Sequence, residues 1–247
     1  MKLQQRLMRE LQQNRHVKIM KSTDWCIPIR TIEVTYEPIR RSTMDVLMQM
    51  LLISMQEANF QNVEELSELL LVDPLFIEDL VSLMSRVRLI EQTDGFYRLT
   101  PKGEQQLARG IFEEELEVET ATLLFSPCHQ AILPAGEGDI EEFDELPEPY
   151  RYVDKEAEQQ EQFDEAMLLE ALQQEEEPSS AQKIVETIVS AQAQQINDIP
   201  CLQFILYDKE KNIVYVRVWN TLLNQWDEKL EQQLTEKEQL QWREQYL

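Results

Sequence analysis

The stretch that decides the fold is Leu89-Ile90-Glu91-Gln92-Thr93-Asp94-Gly95-Phe96-Tyr97-Arg98-Leu99-Thr100-Pro101-Lys102-Gly103. Leu89-Ile90-Glu91 reads as a short strand, Thr93-Asp94-Gly95 as a turn, and Phe96-Tyr97-Arg98-Leu99 as the returning strand, so the segment predicts a hairpin. Thr100 then reads as an N-cap with Pro101 at the first helical position, which predicts a helix to residue 109. Upstream, Ser42-Thr43-Met44-Asp45 has the spacing of a capping box and predicts a helix running to about residue 59, its apolar face built on Val46, Met50 and Ile53, with Leu47 and Met55 as further candidates. Asn62 predicts a cap for a second helix over 63–71, with Glu64 and Glu65 in the first turn, where the macrodipole favours anions. Asp73-Pro74 predicts a third helix over 74–87, with Phe76, Leu80, Leu83, Met84 and Val87 mostly at spacings of three and four.

Helix, helix, helix, hairpin, helix is an order that resembles the winged helix-turn-helix family. The most family-like residues are Leu89-Ile90, Phe96-Tyr97-Arg98-Leu99-Thr100, and Lys102-Gly103 followed by Leu107. The resemblance covers residues 42–110 and implies that the third helix enters a DNA major groove while the hairpin touches the backbone. It makes Ser82, Ser85, Arg86, Arg88, Arg98 and Lys102 the nucleic-acid candidates. The outward side of that helix, however, should carry Leu75, Glu78, Asp79, Ser82, Ser85 and Arg86. Two acids and one base form a poor surface for phosphate, because each neutralised phosphate needs a Lys or Arg nearby. The resemblance at the level of fold therefore extends to the acidic winged-helix accessory subunits of chromosome-organising ATPases, which bind protein more than DNA.

Around this module the sequence predicts an α+β chain: a winged helix-turn-helix with flanking strands, an acidic linker, and a small helix-hairpin-helix C-terminal unit. The expected divisions are a basic helix and strands over 1–41, the winged-helix domain over 42–125, an acidic linker over 126–178, and an α-β-β-α unit over 179–247. Residues 1–14 read as a helix with Leu3, Leu7 and Leu11 four apart. In the segment 29–36, Arg30, Ile32, Val34 and Tyr36 form the more apolar face of a strand that Pro38 should end. Another strand is expected over 117–125. Within the linker, Phe163 and Met167, and Leu168 and Leu172, predict a short amphipathic helix over 161–174. Beyond it, Ile184, Val185, Ile188 and Val189 predict a helix over 181–195. Strands over 202–207 and 213–219 should flank a polar loop, and a long helix should start at Thr221, with Leu222, Trp226, Leu230 and Leu234 four apart.

Charge is unevenly placed. The chain of 247 residues has a formal charge of −24, and residues 111–180 alone contribute 22 acids against two bases. Residues 1–41 carry a net +5. Low hydrophobicity, high charge and helix breakers predict a largely disordered linker over about 135–160. No apolar window approaches the roughly 20 residues of a membrane helix. Nothing at the start reads as a secretory leader, and three cysteines are too few for a disulfide scaffold, so a cytoplasmic protein is expected.

Catalytic chemistry is hard to find. The glycines are too scattered to cradle a phosphate. Neighbouring residues on an extended strand point opposite ways, so Cys128-His129 makes a poor metal pair. No catalytic, cofactor-binding or metal residue, no cofactor and no enzyme activity is expected. The expectation is a non-enzymatic winged-helix adaptor or regulatory subunit that docks proteins in a DNA-associated, bacterial-type assembly. Its docking residues would be Leu3, Leu7, Leu11, Phe163, Met167, Leu168 and Leu172. The expected partners are a protein and, weakly, DNA, with no membrane and a possible homodimer. Two alternatives stand beside it: a DNA-binding regulator restrained by its acidic linker, and a DNA mimic in which the acidic segment over 111–180 imitates phosphate spacing and inhibits a DNA-binding enzyme.

Overall fold

The computed structural model describes residues 2–134, 146–153, 163–174 and 182–247. In chain order the elements are α1 (Lys2–Leu11), β1 (Val17–Thr43), α2 (Val46–Glu57), α3 (Val63–Leu70), α4 (Pro74–Arg86), β2 (Ile90–Thr93), β3 (Phe96–Leu99), α5 (Pro101–Arg109), β4 (Ile111–Glu115), β5 (Glu119–Ser126) and β6 (Ala131–Leu133). They continue with α6 (Glu165–Gln174), β7 (Gln182–Asp208), β8 (Ile213–Asn220), β9 (Gln225–Trp226) and α7 (Glu228–Tyr246).

The expected fold class does not hold. The chain is dominated by a large, curled antiparallel sheet and not by a small winged-helix α+β domain. Seven strands form it, in the order β6-β5-β1-β7-β8-β9, with β4 also paired to β1. Two of these strands, β1 and β7, are 27 residues long. The expected helix over 181–195 is replaced, from Gln182 onward, by β7. Its apolar residues Ile184, Val185, Ile188 and Val189 have helical spacing, but all are β-branched, as is Thr187. Such side chains lose rotamer freedom on a helix and fit a pleated sheet. Pro38 does not end β1, because residues 39–43 continue in antiparallel register with 111–115 of β4. The long C-terminal helix begins at Glu228, leaving Leu222 and Trp226 outside it.

Two compact units are present: residues 1–34, 120–171 and 190–247 make the first, and residues 35–119 and 172–189 the second. In the first unit, residues 199–206 of β7 are buried on both faces. Cys201 and Ile205 face a core that includes Leu230, Leu234 and Trp242 of α7. Leu202, Phe204 and Leu206 face the other way, against Leu3 and Leu7 of α1 and Trp219. This strand reads as an unbroken apolar run because a helix covers each side. Leu7 is fully buried, so Leu7→Ala should cost about 3 kcal/mol by cavity formation. A lowered chemical-denaturation midpoint would register it, and an unchanged midpoint would place α1 off the sheet.

Part of the expected linker is also folded. Cys26 of β1 donates its N–H to the Glu148 carbonyl at 2.9 Å, and Tyr150 N–H donates to the Cys26 carbonyl at 2.7 Å. Tyr150 packs on Trp25 with ring centroids 4.4 Å apart. The disorder expected over 135–160 falls largely on residues 135–145 and 154–160, which lie outside the described residues.

The second unit contains the helices and the hairpin. Asp45 is the N-cap of α2, accepting from the N–H groups of Leu47 and Met48. Ser42 lies in β1, so the expected capping box is replaced by a single Asp cap. The apolar face of α2 is corrected in part: Met55 is buried as expected, but its buried companions are Met48, Leu51 and Leu52, while Val46, Met50 and Ile53 are exposed. The hairpin pairs Ile90 with Leu99 and Thr93 with Phe96, across a turn in which Asp94 and Gly95 both have positive φ. Thr100 caps α5 by accepting from Gly103 N–H.

Candidate functional site

Four of the six nucleic-acid candidates share one cleft in the second unit. Ser82 and Ser85 come from α4, Arg88 from the turn after it, and Lys102 from the first turn of α5; Glu91 and Tyr97 of the hairpin also line the cleft, whose volume is about 730 Å³. The caps of α4 and α5 and the hairpin register set these positions, which is why short-range sequence signals converge on them. Arg86 and Arg98 are exposed on neighbouring surface outside the lining.

The electrostatics of the cleft are close to neutral. Lys102 donates from Nζ to Glu115 at 2.9 Å. That bond first, and the charges of Lys102 and Arg88 after it, hold the Glu115 carboxyl below the usual carboxylate range, against a smaller opposing effect of burial. Arg86 lies 3.4 Å from Glu114, and Arg40 lies 3.6 Å from the same carboxylate. Arg41 lies 2.7 Å from Glu113. Arg98 sits directly opposite Glu91 in the hairpin register, where opposite charges attract across the pair. Three consecutive acids of β4, Glu113 to Glu115, thus pair with Arg40 and Arg41 of the basic N-terminal region and with two cations at or beside the cleft.

The docking candidates lie elsewhere and are largely covered. Leu3 and Leu7 are buried, and Leu11 packs partly buried in the same cluster. Phe163 packs edge-on to Phe125 at 5.4 Å. Leu168 and Leu172 of α6 are buried and Met167 is half-buried. These side chains belong to the chain's own packing, which leaves little of them for a partner.

One constellation escaped the sequence reading. His129 lies in a turn, where adjacent side chains need not alternate as they do on a strand. Ser126 Oγ lies 2.7 Å from His129 Nδ1, and His129 Nε2 lies 2.9 Å from Asp227 Oδ2. Asn220 donates to the same carboxylate at 2.8 Å, and Asp227 caps α7 by accepting from Leu230 N–H. Burial pushes the Asp227 carboxyl up, but the bonds from His129, Asn220 and the Leu230 N–H together hold it below its ordinary value. A serine, histidine and carboxylate in a chain can in principle activate a hydroxyl. Here Ser126 is 0% exposed and His129 and Asp227 are each 4% exposed, so the arrangement ties a turn to a helix N-terminus and presents no nucleophile to solvent. The usable signals were Ser126 three residues before His129, and Asp227 directly before a helix; their separation of about 100 residues hid the link.

The cysteines are buried and unbridged. Burial first, then the nearby Asp227, Cys128 and Cys26, pushes the Cys201 thiol well up, which disfavours the reactive thiolate. Among the described residues, no group of three His, Cys, Asp or Glu is placed to hold a metal, and no helix is long and apolar enough to cross a membrane. Compared with family models, curated proteins and solved structures, the chain matches none.

Proposed function

We propose that this protein is a non-enzymatic adaptor that acts by protein-protein docking in a DNA-associated assembly. The observation that carries this reading is the pairing of most cations around the cleft: Arg86, Arg98 and Lys102 each face a carboxylate of the same unit, and the charge of Arg88 acts on Glu115. A groove that reads DNA gains affinity by neutralising phosphates with unpaired cations, and a neutral, mixed-charge cleft lined by Tyr97 and hydroxyls suits polypeptide better. The helix-and-hairpin order over 46–109 supports a resemblance of this segment alone to winged helices.

A second reading, a DNA-binding regulator restrained in cis, is favoured by the same acids of β4. Exposed ion pairs contribute only about 0–1 kcal/mol each, so phosphate could displace them. The test is fluorescence anisotropy with labelled duplex DNA at low and near-physiological salt. It compares the full chain with the double variant Glu114→Gln, Glu115→Gln. The adaptor reading expects no binding by either protein at near-physiological salt and a stoichiometric protein partner on purification. Tight, steeply salt-dependent binding by the double variant alone would establish the restrained regulator in its place.

A further inference from the structure

The turn between α3 and α4 exposes more apolar surface than its own packing explains. Leu69, Leu71, Leu75 and Phe76 fall within eight residues, and they are 56%, 91%, 70% and 66% exposed. Leu71 is also held in the left-handed region, at φ 56°. Glycine is the usual residue for such a helix end, because a Cβ there crowds the backbone. A leucine in this position accepts strain and gains no burial in return. The turn is nevertheless fixed: Ser67 Oγ donates to the Val72 carbonyl at 2.6 Å, and the Leu71 N–H bonds back to the Ser67 carbonyl. Strain maintained by the surrounding structure at an exposed position points towards function.

The charge around the corner specifies what fits it. From residue 42 to residue 85 the chain has eight carboxylates and no Lys or Arg. Four of those acids, Glu68, Asp73, Glu78 and Asp79, are exposed around the corner. An anionic membrane surface would be repelled by this rim, and a second copy would bring the same acids to face it. We infer that the α3–α4 corner is a docking site for a basic amphipathic helix of a partner protein. Its apolar stripe covers Leu71, Leu75 and Phe76, and its Lys or Arg residues meet the acidic rim. The inference rests on the adaptor reading and deepens it, since it names where a partner sits and with what chemistry.

The test uses the full chain and a labelled synthetic helix of about 18 residues with Leu along one face and Lys on the other, long enough to cover such a corner. A Glu-for-Lys peptide serves as control. The protein variant is Leu71→Gly with Phe76→Ser, which leaves net charge unchanged and removes the left-handed strain. The expected result is binding of the Lys peptide, weakened about tenfold or more by the double variant, with no loss of thermal stability from Leu71→Gly alone. Equal binding by wild type and double variant would reduce the attraction to net charge and overturn the site. A concentration-dependent dimer, abolished by the same substitutions in sedimentation, would overturn it in favour of self-association. A stoichiometric partner that co-purifies with wild type and is retained by the double variant would overturn the site while leaving the adaptor reading intact.

Discussion

Gly103→Ala should destabilise the second unit by about 2 kcal/mol or more, although the substitution lies in a helix. Alanine at an interior helical position gains about 1 kcal/mol over glycine. Against this, a Cβ on Gly103 would stand 2.1 Å from the Leu89 carbonyl oxygen and 3.0 Å from its carbon. Backbone cannot rotate away as a side-chain tip can. Leu89 is also fully buried, and its carbonyl already accepts from Thr100 N–H at 2.9 Å. Thr100 Oγ1 donates to the Arg88 carbonyl at 2.6 Å, so the segment that would have to move is held on both sides. Forced overpacking costs roughly 1–3 kcal/mol, occasionally more, and a rigid backbone contact belongs at the upper end. Chemical denaturation of the variant should show an early loss of helical signal. A raised midpoint would mean that α5 does not approach Leu89 so closely. Gly110→Ala is the useful contrast, because it meets nothing within 4 Å and suffers only from φ +66°.

The second large effect is expected at Asp227. Asp227→Ala removes the acceptor for His129, Asn220 and the Leu230 N–H together. Each buried donor left unpaired costs about 1–3 kcal/mol, and loss of an N-cap costs about 1 kcal/mol. The total should reach about 4 kcal/mol, read as a lowered denaturation midpoint and faster amide exchange at Leu230. Asp227→Asn should cost roughly half as much, since an amide oxygen can still cap the helix. The pH dependence follows from the direction of the shift. The folded carboxyl titrates below its ordinary value of 3.8. Its contribution is therefore complete above that value and is lost as pH falls through the lower folded one. The stability difference between wild type and Asp227→Asn should narrow below about pH 3.8. A difference that stayed constant down to pH 2 would mean that Asp227 is not held as a charged acceptor.

Sequence was most informative where a few neighbouring residues settle the backbone. Asp94-Gly95 supplies two positive-φ residues for a tight hairpin, and Thr100-Pro101 caps α5 without help from distant parts of the chain. The cleft inherits this, because Ser82, Ser85, Arg88 and Lys102 are positioned by those same short-range signals. The buried face of α2 was not readable, since Val46 to Met55 is apolar nearly all round and periodicity cannot choose a side. The strand at 182–198 was lost for a different reason. Its helical spacing is real, but β-branching and pairing within a sheet override it. The Ser126-His129-Asp227 link joins residues about 100 positions apart, and no local pattern announces such a contact.

The length of β1 sets a timetable for the newborn chain. Thr31 of β1 meets Asn197 of β7 across 166 positions. A ribosome adding about 5–20 residues per second needs on the order of 10–30 s to cover that interval. Trp25, Ile27 and Ile29 are made well before the residues they pack against and wait through that interval without β7 or α7. Slowing translation downstream of residue 43 should prolong that wait and raise dependence on chaperones that shield unpaired strands. Speeding it should do the opposite.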